Sequence, residues 1–304
     1  MEIRVLEYFL AVAREQTISA AAESLHLTQP TLSRQLHDLE EQLGKQLFHR
    51  GSHRITLTDE GMLLRQRAEQ IVELVRKTEN EITHNSDTIS GDIFIGSGET
   101  DAVRLVASVA ADMQKDFDDI HIHIYSGDGE DIIDRIDRGL IDFGIIFEPY
   151  DISKYENISI PLSDTWGVLM RRDDPMADKN TITCEDLWDK PLILSRQQVN
   201  LSRIQTKKSA LLKWLGKDIS RLNIAATYNL VYNGSLMAGE GVGYVITLDK
   251  LINVSGNSNL CFIPLYPAVD AKMNLVWSKY RIMTRAADEF LSRFKIKAEN
   301  IGDF

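Results

Sequence analysis

Cysteine, proline, long apolar runs and positive charge are all in short supply in this 304-residue chain. Its two cysteines, Cys184 and Cys261, stand far apart with no metal-ligand spacing, so reduced thiols are expected rather than a disulfide framework or a cysteine metal site. With seven prolines and no low-complexity tract, the 43% hydrophobic and 26% charged composition is that of a globular protein. Acids interrupt every apolar run of the opening segment MEIRVLEYFLAVAREQ, so it does not read as a secretion signal. No stretch reaches the apolar length that a membrane helix needs. A cytoplasmic protein without a membrane partner is expected. Net charge is −11, and residues 1–60 hold six Lys/Arg against nine Asp/Glu. A non-specific nucleic-acid coat would be basic, so only the placement of a few cations can make this chain a DNA reader.

Length provides for about two domains. In the first, Val5, Leu6, Phe9, Leu10 and Ala13 recur at helical spacing. Thr17 is suited to cap a second helix whose inner face is Ala20, Ala21 and Leu25. After the turn at His26-Leu27, Thr28 is placed to cap a third, with Pro30 in the first turn, where a missing N–H costs nothing. Leu32, Leu36, Leu39 and Leu43 give that helix its buried stripe, so Pro30, Arg34, His37 and Glu41 point away from the core. Its outer N-terminal half then offers Gln29, Thr31, Ser33 and Arg34, side chains able to reach base edges and phosphates. Two short extended runs around Gly51-Ser52 predict a hairpin, a wing with Arg50 and Arg54 near its tip.

The series Ala20-Ala21, Leu25, Gln29-Pro30, Ser33, Leu36, Leu39-Glu40, Leu43-Gly44, Leu47-Phe48, Arg50, Leu57-Thr58 and Gly61 resembles the signature of the LysR-type transcriptional regulators. Chain length and domain order agree with it. The resemblance implies an all-α winged helix-turn-helix in residues 1–58, followed by a long linker helix. DNA contacts would come from Gln29, Pro30, Thr31, Ser33, Arg34, Arg50 and Arg54. Thr28 stands where Ser is common in the family, and Thr31 where a smaller residue is frequent.

Residues 59–90 read as linker helix and hinge. Thr58 caps the helix, and Asp59 and Glu60 suit the positive end of its dipole. Leu64, Ala68, Ile71, Val75 and Ile82 follow a coiled-coil-like spacing, with packing against its own domain as the competing use of that stripe. Such a helix is longer than one small domain can cover, which favours a dimer seam.

From residue 91 onward strands alternate with helices, predicting an α/β domain that binds its ligand at the carboxyl ends of its strands. Strands are expected near 92–95, 121–125, 139–147, 165–170, 191–194, 223–227 and 242–246, and helices over 103–117, up to Arg138, and over 201–214. Ile160-Pro161-Leu162 and Ile263-Pro264-Leu265 read as paired crossover strands between subdomain I (91–161 and 266–304) and subdomain II (162–265). The family resemblance implies a bilobal effector domain similar to periplasmic solute-binding proteins.

Effector contacts are expected from Ser97, Glu99, Thr100, Asp128, Glu148, Ser195, Arg196 and Tyr228, all on loops following strands. Glu99, Asp128 and Glu148, with Arg196 the single nearby cation, suggest an effector bearing an amine or several hydroxyls rather than a bare dianion. Gly239–Gly243 ends a helix and starts a strand, the reverse of a phosphate loop. His121 and His123 lack a third ligand, and no catalytic grouping is recognisable. Neither an enzyme nor a cofactor or metal is expected. Expected partners are an operator duplex, a small-molecule effector, further copies of the chain as dimer or tetramer, and RNA polymerase.

Overall fold

A computed structural model of the chain describes residues 1–51, 54–83, 89–203, 209–216 and 219–302. It falls into two compact units, Met1–Asn85 and Ser86–Phe304. In the first, α1 (Ile3–Glu15) buries Leu6, Phe9 and Val12 and closes at Gln16. Thr17 caps α2 (Ile18–Ser24) by accepting the Ala20 N–H at 3.2 Å, satisfying a donor that a helix start leaves open. α3 (Gln29–Leu43) ends on Gly44 at φ 63°, a conformation glycine adopts without steric cost.

Leu32, Leu36 and Leu39 are buried against Phe9, Ala21 and Leu47, the stripe read from sequence. Leu43 is not part of it: at 41% exposure it lies on the last turn, where α3 has outrun its small core. Thr28 occupies the N-cap position without capping. Pro30 at the second helical position has no N–H to offer, and the Thr28 hydroxyl bonds that of Thr31 at 2.8 Å instead.

The hairpin pairs β1 (Phe48–Arg50) with β2 (Ile55–Leu57), Phe48 opposite Leu57. Its predicted tip residue Ser52, with His53, lies outside the described residues. Glu40 fixes the hairpin's start by accepting the Leu47 and Phe48 N–H groups at 2.7 and 3.3 Å. Ile55 N–H ties the other strand to Gln16 O at 2.8 Å. Thr58 caps α4 (Asp59–Thr83), its hydroxyl accepting Gly61 N–H at 3.0 Å and donating to Gln46 O at 2.7 Å. A Cβ at Gly61 would collide with the Leu47 carbonyl, so α4 passes the hairpin only with glycine there.

The predicted seam on α4 divides in two. Ala68 is buried together with Val72 in the core of its own unit, while Ile71, Leu74 and Ile82 are 37%, 41% and 77% exposed. At 100° per residue these are adjacent faces of one helix. A run of apolar residues wide enough to serve both shows only one spacing in the sequence.

The second unit holds two lobes. The first contains β3 (Gly91–Ser97), α5 (Val103–Asp116), β4 (Ile120–Ser126), α6 (Gly129–Asp137), β5 (Phe143–Phe147) and β6 (Tyr155–Ser159). The other contains β7 (Asp164–Arg171), α7 (Cys184–Leu187), β8 (Leu192–Ser195), α8 (Arg196–Arg203), α9 (Ala210–Trp214), β9 (Ile224–Tyr228), α10 (Val231–Gly239), β10 (Tyr244–Leu248), β11 (Leu260–Pro264) and β12 (Asp270–Ala271). β13 (Met273–Ser278) and α11 (Arg285–Gly302) return to the first lobe. Strand orders are β4-β3-β5-β13-β6 and β11-β7-β10-β8-β9, with β12 added to β7.

Two expectations change here. The return crossover follows β12 at residue 272 rather than at 263–266: Ile263-Pro264 belongs to edge strand β11, paired with β7, where proline can spare a ladder N–H. An Ile-Pro-Leu run marks an edge strand as well as a crossover, and only Ile160-Pro161-Leu162 lies between the lobes. The helix expected over 201–214 is broken, because α8 starts at Arg196 and Ser209 opens α9 by accepting Leu212 N–H at 3.2 Å. Among the described residues no helix is long and apolar enough to cross a membrane.

Candidate functional site

Two surfaces gather the residues singled out from sequence. On the first unit, burial of Leu32, Leu36 and Leu39 turns the other side of α3 outward, leaving Gln29, Pro30, Thr31 and Arg34 exposed and Ser33 half-buried. Ser19 donates to the Gln29 side chain at 3.4 Å, joining α2 to the start of α3. Arg34 and Arg54 are exposed, and neither has an ion-pair partner among the described residues. Arg50 ends β1, opposite Ile55, and its side chain lies outside the described residues. Of the acids of α3, Glu40 is used on the hairpin backbone and Glu41 approaches His37 at 3.5 Å, while Asp38 stays exposed one turn after Arg34.

On the second unit, strand order fixes the site. β3 is parallel to β4 on one side and β5 on the other, and β8 lies between parallel β9 and β10. Chain connections diverge from the carboxyl ends of β3 and β8, which opens a crevice there in each sheet. Both crevices meet in one cleft of about 1120 Å³ of empty space, counting its open mouth.

Glu99, Asp128, Glu148, Ser195, Arg196 and Tyr228 line the cleft. Ser97 and Thr100 do not. Ser97 is buried and donates to Gly98 O at 2.7 Å, and Thr100 donates to the buried Asp164 carboxylate at 2.5 Å. Each hydroxyl is used by the protein itself, which sequence spacing does not reveal. Tyr228 is buried and its hydroxyl donates to Ile246 O at 2.9 Å, leaving the ring as its contribution to the wall.

Two polar contacts span the lobes across this cleft. Glu99 accepts Val231 N–H, at the first turn of α10, at 2.5 Å, and Arg196 approaches Asp128 at 3.5 Å. Asp128 also caps α6 through Asp131 N–H at 3.1 Å. Burial pushes the Glu99 carboxyl above its ordinary value although the Val231 N–H opposes it. Asp164 is likewise pushed up, chiefly by burial.

Sequence reasoning missed Asp131, Gln198, Asp270 and Trp166 in the lining. Asp131 sits one turn beyond the cap residue that was noticed, so its helix phase was available. Asp270 was not: it reaches the cleft on β12, a strand that the crossover reading had passed over. Among the described lining residues five are acids and Arg196 is the one cation.

His121 and His123 do not line the cleft. His121 pairs with Asp119 at 3.3 Å, and His123 pairs with Asp92 at 2.9 Å while stacking on Phe94. Burial raises the thiols of both Cys184 and Cys261 above their ordinary value.

Comparison with known proteins bears on both surfaces. Residues 3–62 match the family model of bacterial regulatory helix-turn-helix proteins of the lysR family, and residues 86–298 match the LysR substrate binding domain. The hydrogen peroxide-inducible genes activator of Pectobacterium carotovorum subsp. carotovorum is 27% identical over 195 residues, 64% of this chain and 64% of that protein. The chain thus spans somewhat under two thirds of that relative's length. The HTH-type transcriptional regulator BsdA of Bacillus subtilis (strain 168) is 30% identical over 201 residues, 64% of this chain and 67% of that protein. The structure of full-length CbnR in complex with its target DNA superposes at a TM-score of 0.72 with 19% identity, covering 97% of this chain and 99% of that one. With the two family models matching consecutive regions over most of its length, the chain belongs to the LysR family of DNA-binding transcription regulators with an effector-binding domain.

Proposed function

We propose that the outward face of α3 reads operator bases and the hairpin holds neighbouring phosphates, under control of a small molecule bound in the cleft between the lobes. The observation that carries this reading is Arg34: exposed, without an ion-pair partner among the described residues, and opposite a fully buried leucine stripe. Gln29, Pro30, Thr31 and Ser33 complete the base-facing turns, and Arg50 and Arg54 serve the backbone. Arg34→Ala should weaken specific operator binding by about 10- to 100-fold per half-site, the worth of one bidentate base contact. Arg54→Ala should weaken all duplexes alike and flatten the salt dependence. Gel-shift titration on specific and scrambled duplexes, at two salt concentrations, separates the two. Unchanged affinity in Arg34→Ala removes α3 from the interface.

Self-association uses the apolar face of α4 that its own unit leaves open, Ile71, Leu74 and Ile82. Dimers or tetramers then present two reading helices to an inverted repeat. RNA polymerase is the further partner of such a regulator, and the cytoplasm its place of work. Peroxide sensing, suggested by the name of one relative, is not carried over. That chemistry needs an accessible thiolate, and burial disfavours one at both cysteines.

A further inference from the structure

We propose that the cleft takes a small ligand carrying both a primary ammonium group and an oxygen acceptor, the chemistry of an amino sugar or an amino acid. This deepens, and rests on, the reading of the cleft as the effector site.

The first observation is charge. Among the described lining residues five carboxylates face one cation, Arg196, which is itself drawn to Asp128 at 3.5 Å. Glu99 is occupied by Val231 N–H. The carboxylates of Asp131 and Glu148 have no hydrogen-bond or ion-pair partner among the described residues. Capping accounts for Asp128 but not for Glu148, which starts no helix. Phe147 and Trp166 are aromatic members of the same lining.

The second observation is independent and concerns Gln198, a lining residue only 7% exposed. Its side-chain oxygen accepts the Ser209 hydroxyl at 2.6 Å. The Ser209 oxygen in turn accepts Leu212 N–H at 3.2 Å, so its proton is free to go to Gln198 and the amide is oriented by that chain of bonds. The Gln198 amide nitrogen has no hydrogen-bond acceptor among the described residues, and Gln198 is one of the residues that line the cleft. A ligand oxygen that enters the cleft can accept from this amide, whose oxygen the Ser209 hydroxyl already holds. One wall therefore asks for a cation and another point for an oxygen. A dicarboxylate satisfies the amide alone and meets a net negative wall, while a plain sugar leaves that wall unneutralised.

Calorimetric titration of the full-length protein with glucosamine, L-lysine, 1,4-diaminobutane, glucose and succinate tests this. Glucosamine or L-lysine should bind. Glu148→Gln and Asp131→Asn, both at exposed positions, should each weaken that binding by about 10-fold, the effect of losing one charge-assisted contact. Gln198→Met should weaken glucosamine and L-lysine but not 1,4-diaminobutane, which has no oxygen. Succinate binding more tightly than every aminated probe, and tightening further in Glu148→Gln, overturns the proposal and leaves the cleft as effector site. Aminated probes that bind with affinity untouched by all three substitutions place the site elsewhere, and the cleft reading falls with the proposal. No heat from any aminated probe at about 10 mM also overturns it.

Discussion

Glu40 on the winged unit places its carboxylate against two backbone N–H groups, Leu47 and Phe48, whereas Glu148 in the cleft holds its own open. The winged unit is net acidic over residues 1–60, yet Glu40 on its reading helix is tied to backbone, and its cations Arg34 and Arg54 are free of ion pairs among the described residues. The cleft reverses this arrangement, with free acids and, among its described lining residues, a single cation engaged by Asp128. Net charge therefore describes neither surface. What a partner meets is the set of charges left after local structure has used the rest.

Assembly is the sharpest way to break that comparison, because one unit's free charges matter only if two units reach DNA together. Ile71→Glu introduces a carboxylate on the exposed apolar face of α4, next to Leu74 and about three turns before Ile82, at a position exposed where Ala68 and Val72 are buried. Like charges would then oppose each other across a dimer. The expected outcome is a smaller particle by sedimentation and a loss of operator affinity of about 100-fold or more, since one half-site forgoes the linked second. A variant that remains fully associated would move the interface off α4.

The next effect is on folding. Glu40→Ala removes the acceptor of two N–H groups that begin the hairpin, and should cost about 1–3 kcal/mol in denaturant unfolding of the first unit. Glu148→Ala, removing a carboxylate without a partner among the described residues, should leave stability within about 0.5 kcal/mol. Equal losses from the two would mean that Glu148 is held by the protein itself, and the contrast drawn above would fail.

Much of the winged unit was legible because its elements are local. The leucine spacing of α3, Thr17 and Thr58 at helix starts and Gly44 at a helix end each act within a few residues. Leu43 was misplaced because a periodic pattern does not say where a small core ends. The division of the α4 stripe was hidden for a related reason: two adjacent helix faces give one run of apolar residues. In the second unit the alternation of strand and helix was equally plain, and six of eight effector candidates reach the cleft. Ser97 and Thr100 do not, because Gly98 O and Asp164 use their hydroxyls, and a partner such as Asp164, 64 positions away, leaves no local trace. Gln198 was invisible for the same cause, since its unused amide follows from Ser209 across a break between two helices.

Glu99 lies between the two behaviours, a cleft carboxylate that the protein does use, and it offers the smallest and most diagnostic effect. Burial pushes its carboxyl above the ordinary 4.5, against the opposing pull of Val231 N–H. The folded chain therefore keeps this proton to higher pH than the unfolded chain does. The associated stability is fully present below the unfolded value and is lost as pH rises through the raised one. Glu99→Gln keeps an oxygen for Val231 N–H and carries no charge at any pH. Without ligand, its stability relative to the native chain should improve as pH rises from about 4, then level off once Glu99 is ionised in both states. Thermal unfolding across that range checks the sign. A relative gain that grows on acidification instead would mean that the α10 N-terminus outweighs burial and holds Glu99 as a charged tie between the lobes. In that event Glu99 would belong with Glu40, as an acid claimed by backbone, and the ligand-facing charge of the cleft would rest on Asp131 and Glu148.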